Sequence, residues 1–120
     1  MPDQPISSDA DNAEDRKLLT LARSTRARTR AAEGACVRDL DGRTYAGAAV
    51  DLPSLQLSAV ALAVAMASSS AAAGLEAVAV VTDAETVDER DLAVVRDFAG
   101  AGVPVLRADA RGQVQETLTS

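Results

Sequence analysis

The sequence predicts an α/β fold: a mixed sheet of about five strands with helices packed on its faces. Three observations carry the prediction. Asp41-Gly42 separates two strand-like runs, GACVRDL and RTYAGAAV. A DG pair in that setting marks a β-hairpin, because the turn needs positive φ at its centre. Ala77–Thr82, AVAVVT, is a short continuous apolar run, as expected of a central strand covered on both faces. A helix-period segment, Asp88–Ala99, lies between that run and a second one, Val103–Ala108. Strand, helix and strand in that order predict a right-handed βαβ unit with parallel strands.

In chain order, residues 1–15 hold five acids, two prolines and one large apolar side chain, Ile6, and read as a disordered acidic tail. Residues 16–120 read as one domain. The first helix is expected over Glu14–Arg28, where Leu18, Leu21, Ala22 and Thr25 fall at helical spacing. Its acids come early and its arginines late, which suits the helix dipole. The hairpin strands follow at about Ala35–Leu40 and Arg43–Val50. Asp51-Leu52-Pro53 breaks the second strand, and Ser54 is an expected N-cap. Ser54–Ala73 contains no charge and predicts a helix buried on several sides, ended by Gly74. The third helix carries its apolar stripe on Leu92, Val95 and Ala99 and closes at Gly100-Ala101-Gly102. Beyond Val103–Ala108, a turn at Asp109–Gly112 leads to a last strand at Gln113–Thr117.

Composition excludes several classes of function. The chain has 12 basic and 18 acidic residues, five of the acids in the tail, so the domain is nearly neutral. A general electrostatic grip on nucleic acid or an anionic membrane is not expected. Tyr45 and Phe98 are the only aromatics, so base stacking has little to build on. With one cysteine, Cys36, no intrachain disulfide can form, which suits a reducing, cytoplasmic setting. No signal peptide is expected. Ser54–Ala73 is long enough to span a membrane, but its five serines, Gln56 and many alanines favour a buried helix.

Order, spacing and residues together resemble the small, homotetrameric-type cytidine deaminase family over about Arg16–Thr117. Gly34-Ala35, Asp41-Gly42, Tyr45 and Gly47 resemble its opening hairpin. Ser54-Leu55 through Ala67 resembles its central helix, and Ala79–Asp83 the strand after it. Val94-Val95, Asp97-Phe98 and Val103-Pro104-Val105 resemble the next helix and strand, and Asp109–Val114 the last turn. The resemblance implies a three-layer α/β/α sandwich that assembles as a homo-oligomer, a dimer or tetramer with the central helices near the subunit contacts.

The resemblance also implies where a zinc site would lie, and there the residues depart from it. Such deaminases place a cysteine or histidine and, two positions on, a glutamate at the start of the central helix, with P-C-x-x-C opening the next. Here Ser58 falls at the first ligand, Val60 at the glutamate, Val87 at the proline, and Asp88 and Asp91 at the two cysteines. Without a two-residue gap before Ser54, Val60 and Leu62 take the first two roles. The ribose-gripping asparagine-x-glutamate becomes Ala49-Val50-Asp51, and an aromatic that packs on the base becomes a small residue near Ala31. Zinc sites draw on cysteine, histidine and sometimes carboxylate. A chain with no histidine and one cysteine cannot assemble the standard set. The expectation is therefore no cofactor and no metal. The expected function is that of a catalytically inactive, pseudoenzyme-like protein with a scaffold, oligomerisation or regulatory role. The alternatives are nucleoside or nucleotide binding without turnover, and an enzyme using non-standard or partner-supplied residues.

Other candidates have plainer readings beside them. Asp83, Glu85, Asp88, Glu89 and Asp91 could hold Mg²⁺ or Ca²⁺. Equally, Asp88 caps a helix, Asp91 takes the capping-box position and acids favour the first turn. Arg23, Arg26, Arg28 and Arg30 could meet phosphate or RNA, or form a solvated helix end or salt bridges to acids of the tail or a neighbouring subunit. Cys36 and Ser58 lack a histidine to activate them as nucleophiles. Cys36 is expected to pack as a small apolar residue, and Ser68–Ser70 to end a helix.

Overall fold

A computed structural model describes the backbone from Ile6 to Ser120, with side chains from Ala13 onward. Helix α1 spans Ile6–Thr29. Strands β1 (Glu33–Asp39) and β2 (Thr44–Ala48) form the hairpin, followed by two short strands, β3 (Val50–Leu52) and β4 (Leu55–Leu57). Helix α2 (Ala59–Ser69), strand β5 (Leu75–Thr82), helix α3 (Glu89–Ala99), and strands β6 (Pro104–Ala108) and β7 (Val114–Thr119) complete the chain. The main sheet has the order β2-β1-β5-β6-β7, and β3 and β4 pair as a separate ribbon. Only β5 and β6 run parallel, across the α3 connection, as the βαβ reading requires. The fold is the expected α/β sandwich with a mixed five-stranded sheet.

Strand alternation sorts the core into two layers. Ala35 and Val37 of β1, Val78 and Val80 of β5 and Val105 of β6 pack with α2 and α3 residues such as Val60, Val64, Leu92 and Val95. The opposite face carries Cys36, Ala77, Ala79, Val81, Leu106 and Ala108, packed on Leu18, Leu19 and Ala22 of α1. Register carries the α2–α3 face across the strands: Val37 lies opposite Val78, and Val78 opposite Val105.

The α1 face is lined by small residues, and this lets the helix come close. A Cβ on Gly34 would collide with the Ala22 carbonyl oxygen and lie 2.8 Å from the Arg26 nitrogen. Both are helix backbone and cannot swing aside. Arg38, almost buried, ties the layers at the other end of β1, with Glu76 at 2.9 Å and Asp15 at 3.3 Å. The hairpin turn is braced by Asp39. Its Oδ1 accepts from the backbone N–H groups of Asp41 and Arg43, each at 2.9 Å, and its Oδ2 accepts from the Tyr45 hydroxyl at 2.9 Å. Burial raises the Asp39 pKa, but these donors outweigh it and hold the carboxyl below its ordinary value.

Three boundaries differ from the sequence prediction. Helix α1 begins at Ile6, about two turns before Glu14, and so takes in residues assigned to the tail; residues 1–5 lie outside the described residues. The uncharged stretch Ser54–Ala73 is not one helix. Leu55-Gln56-Leu57 alternates and pairs back on Val50–Leu52, with Pro53-Ser54 at the turn. Ser58, not Ser54, is the N-cap, accepting from the Ala61 N–H at 3.0 Å. At the other end, Ser70 is the C-cap and Ala71 takes the left-handed conformation (φ 62°) in place of Gly74. Ala72 then donates back to the Ala67 carbonyl at 3.0 Å. That backbone bond satisfies the helix end without glycine, at the cost of a strained alanine. Among the described residues, no helix is long and apolar enough to cross a membrane.

The α1 contact gives a direct test. Gly34→Ala is expected to lower stability by about 1–3 kcal/mol or more through overpacking against backbone. Urea unfolding followed by circular dichroism checks it: an unchanged midpoint would mean that α1 can move away from β1 freely.

Candidate functional site

The N-terminal ends of α2 and α3 meet beside the start of β1. Each helix is capped by its own side chain. Ser58 caps α2, and Asp88 caps α3 by accepting from the Arg90 N–H at 2.8 Å. The two ends are joined by one bond: the Ser58 hydroxyl donates to Asp91 Oδ1 at 2.6 Å, short as hydroxyl–carboxylate bonds are. Ser58 Oγ thus accepts from its own helix and donates to the next. Burial pushes the Asp91 pKa up, and the neighbouring Asp88 charge adds to this, while the Ser58 hydroxyl opposes both. The capping-box expectation for Asp91 is therefore replaced: its carboxylate serves the link between helices.

Beside this link lies a cleft of ≈ 340 Å³, lined by Glu33, Gln56, Leu57, Ser58, Ala61, Asp88, Arg90, Asp91 and Val94. A second hollow of ≈ 280 Å³ shares Glu33, Asp88 and Asp91 and extends past Val80, Thr82 and Val87. Val60 lines neither. It is 1% exposed and belongs to the core beneath α2, so the apolar residue at the position of a proton shuttle faces packing and not the cleft. Glu33 is the residue that the sequence reading missed. Its Oε2 accepts from the Thr82 hydroxyl at 2.9 Å. The signal was available: Glu33, Ala35 and Val37 alternate onto one face of β1, and that face meets α2 and α3.

The other candidates are dispersed. Asp83 pairs with Arg26 at 2.9 Å, and Glu89 with Arg96 at 2.9 Å. Glu85 is exposed. Asp51 is exposed on the β3–β4 ribbon, and Ala49 donates its N–H to the Glu33 carbonyl at 3.1 Å. Ala31 follows α1, away from the cleft lining. Cys36 is fully buried on the α1 face, and burial pushes its thiol up to about 11, where it stays protonated and unreactive at neutral pH. Among the described residues, no group of three histidine, cysteine, aspartate or glutamate side chains is arranged to hold a metal ion. The donors at the helix ends are one hydroxyl and two carboxylates, and two of the three are engaged as caps. This set contains none of the thiolates or imidazoles that protein zinc sites are built on, so it does not fit a zinc ion.

Fold and site define a three-layer α/β/α domain with two helix N-termini converging on a cleft at one end of the sheet. The chain belongs to the cytidine deaminase-like family, whose profile matches residues 11–112. No curated protein matches it. Among solved structures, it is similar to a cytidine deaminase from Burkholderia pseudomallei, with 19% identity and a TM-score of 0.72 over 87% of this chain and 89% of that one. It is also similar to a cytidine deaminase from Mycobacterium leprae, with 19% identity and a TM-score of 0.68 over 86% and 90% of the two chains. For the enzyme from Mycobacterium tuberculosis the figures are 25% identity and a TM-score of 0.64 over 74% and 80%.

The Ser58–Asp91 link sets up opposite effects for two substitutions. Ser58→Ala removes both a cap and a donor and is expected to cost about 1–3 kcal/mol. Asp91→Asn keeps an acceptor and removes a half-buried charge, so it costs less at neutral pH. Because the Asp91 pKa is raised in the folded state, its stabilising contribution is full below the ordinary 3.8 and fades as pH rises through the folded value. Asp91→Asn should flatten that part of the stability–pH curve. Urea midpoints across this pH range measure it, and identical curves for the two proteins would contradict the assignment.

Proposed function

We propose that this chain is a non-catalytic member of the cytidine deaminase-like family, with a scaffold or regulatory role exerted through assembly. One observation carries the reading: the helix ends where deaminase chemistry would be placed bear Ser58, Val60, Asp88 and Asp91. Attack by a metal-held hydroxide needs a ligand set that lowers the pKa of bound water, and a carboxylate beside it to move protons. Val60 offers no proton-transferring atom and is buried in the core. The Ser58 hydroxyl is consumed by Ala61 and Asp91. Purified protein is expected to carry no stoichiometric zinc and to leave cytidine unchanged. Elemental analysis and an ultraviolet deamination assay test this, and stoichiometric zinc with turnover would overturn the reading.

The ≈ 340 Å³ cleft favours one alternative, binding of a nucleoside without turnover. Glu33, Asp91 and Gln56 on its lining offer hydrogen-bond acceptors and donors. No aromatic side chain lines it to stack a base, which weighs against tight binding. Calorimetry with cytidine and uridine separates the two readings.

Assembly of identical chains follows from the apolar surface. Leu52 and Leu55 are 54% and 49% exposed on the β3–β4 ribbon, next to α2. An apolar groove runs between α2 and α3 past Ala61, Val64, Ala65, Val94 and Phe98. Helix α2 carries no charge anywhere along its length, so nothing on it opposes burial against a second copy. Sedimentation at micromolar concentration is expected to show a dimer or tetramer, and Leu52→Glu with Leu55→Glu to shift it toward monomer. A stable wild-type monomer would count against assembly.

A further inference from the structure

The arginines at the end of α1 are not accounted for by the deaminase-like site. Arg23, Arg26 and Arg30 line an open cleft of ≈ 320 Å³, closed by Ala31, Asp83 and Ala110. Three arginines and one carboxylate line it, in a chain whose net charge is −6. A helix C-terminus attracts cations, but its dipole is worth about half a charge and does not call for three.

Two of the arginines are held in place. Arg26 is 17% exposed; its Nη2 reaches Asp83 at 2.9 Å and its Nε points to the Ala31 carbonyl at 3.4 Å. Arg23 donates from Nη1 to the Arg111 carbonyl at 3.1 Å, which couples α1 to the β6–β7 turn. Each bond uses part of a five-donor fork and leaves other N–H groups available. Arg30 sits at left-handed φ (56°), a strained conformation for a residue other than glycine. The turn it makes lays Ala31 along the cleft wall. The remaining wall residues, Ala27, Ala31 and Ala110, are too small to fill the space.

We propose that this cleft binds a small phosphate monoester, with Arg23 and Arg30 as the principal contacts and Arg26 as the orienting member of the set. Guanidinium forks match the paired oxygens of a phosphate, and side chains already fixed by backbone carbonyls give up less entropy on binding. The site lies on the α1 side of the sheet and does not depend on the non-catalytic reading of the α2–α3 cleft. Nucleic acid is the wrong partner for it: the basic group is compact, and no aromatic among the lining residues can stack a base.

Calorimetric titration with inorganic phosphate, cytidine 5′-monophosphate and cytidine tests the proposal. A single-stranded oligonucleotide lacking terminal phosphates is the fourth arm. Both phosphates are expected to bind with Kd of order 1 mM or tighter, and cytidine not to bind here. Arg23→Gln and Arg30→Gln should each weaken phosphate by about tenfold, while Asp83→Asn, which removes the opposing charge, should tighten it. Circular dichroism confirms that each variant is folded. Should Arg30→Gln lose its fold, Arg30→Lys, which keeps charge but not the fork, replaces it with the same expected direction. Absence of phosphate binding, binding indifferent to Arg23 and Arg30, or binding of the oligonucleotide in preference to the monoesters would each overturn the proposal. Loss of cytidine binding at the α2–α3 cleft would leave it standing.

Discussion

The structure depends on covering the β1–β5 strand pair from both sides. Cys36, Val37, Val78, Ala79 and Val81 are all fully buried, so neither strand has a solvent face. Such strands cannot alternate apolar with polar residues. They can differ only in size, and here they do. The face toward α1 is built mostly from small residues, Gly34, Cys36, Ala77 and Ala79, with Val81 among them, and the face toward α2 and α3 from Val37, Val78 and Val80 with Ala35. Small residues let α1 approach until its backbone nearly touches Gly34. Valines hold α2 and α3 further out. Sheet position between the helices follows from that difference in volume, and so does the height at which the α2 and α3 ends sit above the sheet.

That height fixes the geometry of the cleft. With α2 and α3 standing on a valine layer, their first turns converge at the edge of the sheet, and four unpaired N–H groups per helix must be satisfied there. A metal site at such a place cross-links the two ends. In this chain the same mechanical task falls to the Ser58 hydroxyl, shared between the α2 cap and Asp91. One hydroxyl–carboxylate bond is weaker than a set of metal–ligand bonds. Most of the stability of the helix pair must therefore come from packing. Val60, Val64, Leu92 and Val95 supply it beneath the link. An apolar residue at Val60 is a gain for that packing, which a glutamate would have forfeited.

Much of this architecture was legible in the sequence because its signals are local. The Asp41-Gly42 turn, the apolar run ending at Thr82 and the stripe of Leu92 and Val95 each specify one element. Where the sequence misled, the local signal was missing or doubled. Ser54 and Ser58 are both acceptable caps, and in a stretch without charges nothing local decides between them; pairing of Leu55–Leu57 with Val50–Leu52 decides it. Gly74 looked like the helix end, but backbone bonds to the Ala67 carbonyl ended α2 earlier, at Ser70 and Ala71. The site was legible in type and not in contacts. The Asp88 cap was legible because it is local, and the structure has it. Only the tertiary fold hands Asp91 to Ser58, and only strand pairing brings Glu33 into the cleft.

The start of α2 shows why polarity alone is a poor guide to chemistry at this site. It holds one polar side-chain atom, Ser58 Oγ, whose proton goes to Asp91 and one of whose two lone pairs goes to the Ala61 N–H. A nucleophile or a metal ligand needs an unshared pair directed into the cleft and a partner able to take or tune its proton. Asp91 is the partner that Ser58 touches; burial raises its pKa and so favours proton uptake, but a carboxylate remains a far weaker base than an alkoxide. If Asp91 took the Ser58 proton, the alkoxide would lie beside Asp88 with no cation opposite except the exposed Arg90. The charge would be less stable there than in water. At this end of the cleft the Ser58 and Asp91 oxygens are engaged with each other, and their bond holds the two helices together.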